Sequence, residues 1–381
     1  MTSVPALAAD PLPQIKSNTG LRGVAALIVV AYHLQFAGYR LPFKVASDLF
    51  DRGYLMVDLF FILSGFILTY VHRAKNSVDY VDYQNFMITR FIRIYPLHIF
   101  CLSYLLIVAG GADLILFATG YKTVFLDWSI FSLKLLLAQI TLINGWFFTR
   151  SGWNTPTWSI SVEILSYAIF PFLAFFLTKR RIATTVILLF SALFYVIISF
   201  YFENLDFIGR IAVLRCFAGF GLGMIICHKR MLIDNISGKI LSIFQLLILC
   251  GIFLAMKKNI NDGMIIPLLC GLVLFTSCDR GLLSDIISGK IFQFLGKISY
   301  SIYLNHVCLL LIVQPIWSRM IVAINRSFYF DSLWLYPIFF GLVIAISTVT
   351  YRYVELPLGR YLNGLQRSRR LRQLPLVQDA T

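Results

Sequence analysis

Residues 21–33 read LRGVAALIVVAYH, an apolar run that opens with Arg22 and closes with His33. An ionisable group within hydrocarbon is costly and by default marks a site. Eleven residues at 1.5 Å rise span about 16 Å and return to almost the same helix face. Arg22 is therefore expected at the cytoplasmic end of a first membrane helix. His33 is expected on the same face, roughly halfway across a ~30 Å core. An imidazole takes and returns a proton near neutral pH. A guanidinium at a membrane mouth suits a phosphate or carboxylate. The plain alternatives are an arginine that snorkels and a histidine satisfied by a neighbouring carbonyl. For Arg22 both readings stay open; for His33 the intramembrane position favours function.

Four further stretches carry polar groups at helical spacing. In ITRFIRIYPLH (88–98), Arg90 and Arg93 share a face and could clamp a phosphorylated ligand; ordinary positive-inside anchoring is the plain reading. Pro96 there implies a kink or a late helix start. In NTPTWSISVEILSY (154–167), Trp158 belongs at an interface and Glu163 lies about a turn and a half deeper. That carboxylate could orient an imidazole, accept a sugar hydroxyl or share a proton. Otherwise it is half of a buried ion pair, with Arg215 or a lysine. In VDLFFILSGFIL (57–68), Asp58 sits near the outer end of a second helix, and Ser64-Gly65 reads first as a small-residue helix contact. In GKISYSIYLNHV (296–307), Ser299, Tyr303 and His306 follow i, i+4, i+7 and make one polar stripe flanked by Tyr300. Such a stripe must face a cavity or another helix. In RYVELP, Arg352 and Glu355 at i, i+3 read as a local ion pair.

The elements that must position these groups follow from composition. The chain is 59% hydrophobic and 13% charged, with mean hydropathy +0.80. That excludes a soluble globular domain of 381 residues and predicts an all-α polytopic membrane helix bundle. Crossings are predicted near 21–38, 54–72, 91–110, 157–178, 182–202, 208–227, 239–256, 262–278, 298–316 and 333–353. With a cytoplasmic N-terminus these ten place 21 of the 33 Lys and Arg on the inside, among them Arg73, Lys75 and the Lys179-Arg180-Arg181 cluster. Counting the apolar run 131–148 as another crossing would turn that cluster outward, against the positive-inside rule. Residues 131–148 are therefore expected to be re-entrant or interfacial, which is tolerated where backbone lines a cavity. The net charge of +15 then reports orientation, not nucleic-acid binding. The seven cysteines form no CxxC pair and lie in or beside apolar runs, so they read as packing residues, and no metal is expected. The first apolar segment lacks the form of a cleaved signal.

Chemically, a mid-membrane imidazole, arginines at the inner mouth and a carboxylate entering from outside suit transfer from an anionic donor inside to a hydroxyl acceptor outside. The same motifs, in order, resemble the acyltransferase 3 family. They are Arg22 with ten residues before His33, FFILSGF (60–66), RFIRIYP (90–96), TPTWSISVE (155–163) and GKISYSIYLNH (296–306). The resemblance runs from about residue 18 to about 360. It implies about ten membrane helices, acyl-CoA (usually acetyl-CoA) as donor, and a carbohydrate or glycolipid hydroxyl as acceptor. It also implies that His33 is the essential histidine and general base, that Arg22, Arg90 and Arg93 read the CoA side, and that Glu163 matches the family's glutamate. The expected division is a cytoplasmic segment 1–20, an acyltransferase domain 21–360 and a basic cytoplasmic tail 361–381. The form without an SGNH-type domain is expected, in a bacterial inner membrane, with both termini cytoplasmic. Asp58, Ser64, Trp158, Tyr300, Tyr303 and His306 are assigned to substrate contact or structural support. A transporter or flippase is the competing class. Succinyl or longer acyl groups and a non-glycan acceptor also stay open, as does transfer through a covalent acyl-enzyme.

Overall fold

A computed structural model describes residues 13–72, 80–120, 131–149, 152–202, 204–324 and 328–372. Arg73, Lys75, residues 1–12 of the N-terminal segment and residues 373–381 of the tail lie outside the described residues. The described residues contain α-helices and no strand, as expected where hydrocarbon offers no partner for unpaired backbone groups. In chain order the helices are α1 (Lys16–Phe36), α2 (Lys44–Phe50), α3 (Met56–His72), α4 (Tyr80–Leu105), α5 (Gly111–Ala118) and α6 (Leu133–Ile140). Next come α7 (Asn144–Phe147), α8 (Thr157–Lys179), α9 (Arg181–Tyr201), α10 (Arg210–Lys229), α11 (Gly238–Lys257) and α12 (Asp262–Thr276). The last are α13 (Leu282–Ile287), α14 (Lys290–Lys297), α15 (Ser299–Ile324), α16 (Phe328–Thr350) and α17 (Leu356–Arg372).

Among the described residues, nine helical stretches are long and apolar enough to cross a membrane. Nine of the ten predicted crossings fall on them. The remaining one, expected at 262–278, is α12, which has only 15 residues and reaches about 22 Å at 1.5 Å per residue. It packs against α3, α9, α10 and α11. The segment 131–148 does not form a spanning helix. It folds as α6 and α7, broken at Leu142, which adopts φ +55°. It is pinned to the head of α8: Asn144 Nδ2 donates to Thr157 Oγ1 at 3.1 Å, Trp146 Nε1 to Ser161 O at 2.8 Å, and Gly145 N to Ser161 Oγ at 3.1 Å. The Gln139 side chain holds the Asn154 backbone, its Nε2 donating to Asn154 O at 3.3 Å and its Oε1 accepting from Asn154 N at 3.0 Å, and Asn154 Nδ2 donates to Leu304 O on α15 at 3.0 Å. This brace fixes the turn before α8, which forms part of the site. Pro96 lies inside α4, which begins at Tyr80, so the proline does not mark a late start.

α3 is the central helix, packed by α1, α8, α10 and α12. Its contact with α10 is a backbone approach. A Cβ at Gly65 would stand 1.9 Å from Phe220 O, and one at Gly223 would stand 1.9 Å from Ile62 O. The small-residue reading of Ser64-Gly65 thus holds for Gly65, since only glycine allows the two backbones so close, while Ser64 faces a cavity. The same pair of helices encloses an ion pair. Arg215 Nη2 lies 2.6 Å from Asp58 Oδ2, and Arg215 Nε lies 3.0 Å from Asp58 Oδ1. The guanidinium also donates to Leu205 O at 2.5 Å and Tyr54 O at 3.2 Å, and Tyr195 OH donates to Asp58 Oδ1 at 3.4 Å. Both side chains are fully buried. Arg215 thus pairs with Asp58 and not with Glu163. A second cluster closes the same end: Asp262 takes Arg52 at 3.0 Å, Tyr54 OH at 2.7 Å and Leu205 N at 2.8 Å.

Candidate active site

Two cavities meet inside the bundle. The inner one, about 70 Å³, lies between α1, α3, α4, α8 and α15. Its polar walls are Arg22 from α1, Arg90 and Arg93 from α4, Glu163 and Tyr167 from α8, Ser64 from α3, and Ser299 and Tyr300 from α15. Three guanidiniums thus share one small chamber with one carboxylate. None of the three makes an ion pair within 4 Å among the described residues. The Arg90 Nε hydrogen is buried without a hydrogen-bond partner, while its guanidinium lies over the Phe86 ring at 5.3 Å. Buried donors without partners are costly, and an excess of positive charge in a confined cavity favours an anion.

The outer cavity, about 480 Å³, contains His33 together with Tyr32, Tyr54, Trp158, Asp206 and Phe207. Val57 and Tyr303 line both cavities, so they form the partition. Tyr303 is fastened there: its hydroxyl lies 2.7 Å from Ser159 Oγ and donates to Pro156 O at 3.3 Å. Arg22 lies in the second turn of α1 and His33 in its last turn, not midway along the helix as expected, and the partition falls between them.

His33 is partly exposed in the outer cavity. Its Nδ1 lies 3.0 Å from Val29 O and 3.2 Å from Nε2 of His306 on α15. The two rings meet edge to face, centroids 4.8 Å apart. His306 is fully buried, so the polar stripe on α15 divides. Ser299 and Tyr300 face the inner chamber, Tyr303 the partition, and His306 the back of His33. Tyr300 OH donates to Ile94 O at 2.7 Å. Glu163 and His33 line different cavities, so the carboxylate is placed with the arginines and not on the imidazole. Trp158 is buried in the bundle, edge to face with Phe61 at 6.3 Å and with its ring under Arg215 at 5.7 Å. Asp58 lines neither cavity and supports the wall through Arg215. Arg352 and Glu355 form no pair; Glu355 instead accepts from Ser301 Oγ at 2.7 Å.

Sequence reasoning did not single out Tyr167 or the Tyr32–Asp206 contact, whose hydroxyl–carboxylate distance is 2.5 Å. Tyr167 follows Glu163 by four residues and so shares its helix face, a signal that was present. Asp206 sits in the irregular stretch 204–209, where no periodicity reports orientation. Among the described residues no group of three His, Cys, Asp or Glu side chains could hold a metal ion.

Arg22, Arg90, Arg93 and Glu163 thus line one cavity and His33 the adjoining one. The sequence matches the family model Acyl_transf_3, described as an acyltransferase domain, over residues 16–352. The chain belongs to the acyltransferase 3 family. Acyltransferase MdmB of Streptomyces mycarofaciens is 34% identical over 164 residues, covering 42% of this chain and 38% of that protein. Putative O-acetyltransferase SACOL0978 of Staphylococcus aureus (strain COL) is 23% identical over 384 residues, covering 89% of this chain and 56% of that one. Protein 2 in picA locus of Rhizobium radiobacter is 30% identical over 168 residues, covering 40% of this chain and 78% of that protein. The chain thus spans about two fifths to just over half the length of the first two relatives. No solved structure matches it. The matched residues of the acyltransferase 3 family include every element that builds the two cavities, from α1 to α15.

Proposed function

We propose that this protein is a membrane O-acyltransferase. In this reading it moves an acyl group, acetyl in the simplest case, from cytoplasmic acyl-CoA to a hydroxyl of an exported or surface carbohydrate or glycolipid. The observation that carries the reading is the partition. A cationic chamber and an imidazole-bearing cavity lie end to end along α1, divided by Val57 and Tyr303. One side suits an anionic donor and the other a neutral hydroxyl acceptor, and the shared wall is where the two would meet. Two relatives, an acyltransferase and a putative O-acetyltransferase, support acyl transfer.

In this mechanism the CoA phosphates engage Arg22, Arg90 and Arg93, and Glu163 with Tyr167 sets the spacing of those guanidiniums. The thioester reaches the partition beside Tyr303. The acceptor hydroxyl binds in the outer cavity, where aromatic faces and the Asp206 carboxylate suit a polyhydroxylated molecule. His33 takes the hydroxyl proton as the oxygen attacks the acyl carbon. The carbon–oxygen bond forms, the carbon–sulfur bond breaks, and the imidazolium returns the proton to the departing thiolate. Orientation follows from charge: with α12 as a short tenth crossing, both termini and the 179–181 cluster face the cytoplasm. A bacterial inner membrane is the compartment that fits a cytoplasmic donor and an exported acceptor.

The test is mass spectrometry of surface glycans from host cells carrying the intact gene, no gene, or His33→Ala, with membrane expression checked in parallel. An acyl increment seen only with the intact gene is the expected outcome, and its mass names the acyl group. Acylation by a well-expressed His33→Ala protein would overturn the assignment of the base. Transport of a lipid or solute that needs neither acyl-CoA nor His33 would replace the enzyme with a transporter.

A further inference from the structure

A histidine can act as a base only through the ring nitrogen that carries no proton. Which nitrogen that is depends on what the other one touches. In His33 the Nδ1 atom lies 3.0 Å from the carbonyl oxygen of Val29, one helical turn back. A carbonyl oxygen accepts and never donates, so this contact places the proton on Nδ1. The same constraint holds in its neighbour. His306 Nδ1 lies 3.2 Å from Ile302 O, which places a proton there too and leaves His306 Nε2 with its lone pair. That bare nitrogen stands 3.2 Å from His33 Nδ1. The His33 Nδ1 hydrogen therefore has two acceptors, a carbonyl of its own helix and an imidazole of α15. No other placement of protons in the neutral pair keeps a bare ring nitrogen from facing a carbonyl oxygen at one contact or the other. His33 Nε2 is left as the bare nitrogen of the ring that lines the outer cavity.

We propose that His306 is a positioning residue that holds His33 in the Nδ1–H tautomer and steadies the imidazolium formed when Nε2 takes the acceptor's proton. The proposal rests on His33 being the base. The contact is a neutral counterpart of the carboxylate that orients the histidine of a catalytic triad. On protonation His33 carries a hydrogen on each nitrogen. The Nδ1 hydrogen then strengthens its bond to the His306 lone pair, because a charged donor makes the stronger hydrogen bond. No proton need leave the pair, and the one on Nε2 remains available to the leaving thiolate. An imidazole suits this place because it presents an acceptor without adding charge to a fully buried position, where a carboxylate would be costly unless paired.

The chain has five histidines, few enough to resolve by solid-state NMR of the full-length protein in lipid with ¹⁵N-labelled histidine. His33 is assigned from the signal lost in His33→Gln. The expected spectrum shows His33 protonated at Nδ1 and bare at Nε2, with its Nδ1–H signal displaced in His306→Phe and held in His306→Gln, whose amide oxygen can accept. A wild-type His33 protonated at Nε2 overturns the proposal. So does a His33 signal that is identical in wild type and His306→Phe. If the phenylalanine variant fails to fold, the wild-type tautomer and the glutamine variant still decide. Transfer from acetyl-CoA in membrane vesicles of the host adds the kinetic readout. His306→Phe should lower kcat roughly a hundredfold with KM for acetyl-CoA unchanged, and His306→Gln should recover at least about a tenth of the wild-type rate. Equal loss in both variants would make His306 a packing residue. If His33→Ala retains activity, the reading of the site fails, not the tautomer assignment alone.

Discussion

At the scale of single residues the inner chamber is defined by what its arginines lack. Arg90 Nε is buried without a partner, and Glu163 neutralises at most one of the three guanidiniums beside it. Arg90→Ala should therefore weaken donor binding more than catalysis. A hydrogen bond to a charged group contributes about 1.5–3 kcal/mol, so KM for acetyl-CoA should rise at least roughly tenfold with kcat less affected. Initial rates across a range of acetyl-CoA concentrations check this, and an unchanged KM would remove Arg90 from the donor site. Tyr303 offers a different test. It is the polar half of the partition, tied to Ser159 Oγ at 2.7 Å. Truncation by Tyr303→Ala should join the two cavities and admit water to the thioester. The expected result is faster release of free CoA without acceptor, followed by thiol titration, while Tyr303→Phe keeps the wall and does not leak.

The element scale is set by α3 and α10, which meet backbone to backbone. Gly65→Leu forces a side chain where a Cβ alone would stand 1.9 Å from Phe220 O. Overpacking typically costs about 1–3 kcal/mol, and here the obstacle is a backbone atom that has no other rotamer to adopt. Thermal unfolding in detergent should show a clear loss, whereas Gly341→Ala, which meets open space, should be nearly neutral. Asp58 and Arg215 tie the same helices through charge. Asp58→Ala leaves a buried guanidinium uncompensated, which destabilises by about 3–5 kcal/mol. Replacing both partners, Asp58→Leu with Arg215→Met, should recover most of that loss. A double variant as unstable as the single one would show that the pair has a role beyond balancing charge, such as holding the Leu205 and Tyr54 carbonyls in the outer wall. The brace at α6 and α7 belongs to this scale as well: Gln139 and Asn144 bond the turn and head of α8, and Asn154 in that turn bonds Leu304 O of α15; the braced α8 presents Trp158 and Glu163 to different cavities.

For the whole molecule the question is which way the bundle faces. In the proposed topology 131–148, folded as two short helices, is not a span, and the 179–181 cluster falls on the same side as the N-terminus. Reporter fusions placed after residue 181 and after residue 372 should both report the cytoplasm, and a fusion after residue 152 the opposite side. Alkaline phosphatase activity at the first position would mean that 131–148 crosses after all. Opposite sides for residues 181 and 372 would mean that α12 does not complete a crossing.

Apolar length, basic clusters and motif order were legible without any coordinates. A helix in hydrocarbon must satisfy its own backbone, so spans of about twenty apolar residues declare themselves. The face shared by Arg22 and His33 follows from helical geometry alone. The packing of Gly65 was equally readable, because close approach demands small side chains, whereas the placement of its neighbour Ser64 in a cavity wall was not. Relations between helices were not. That Arg215 would choose Asp58 over Glu163 depends on α10 crossing α3, which no local periodicity encodes. The same holds for the division of the α15 stripe among a chamber, a partition and a histidine. A residue's neighbours along a helix are set by a 3.6-residue repeat, but its neighbours across helices are set by how the whole bundle closes. His33 could be found from its position in an apolar run; its partner His306 lies 273 residues away, and only the tertiary structure brings the two rings together.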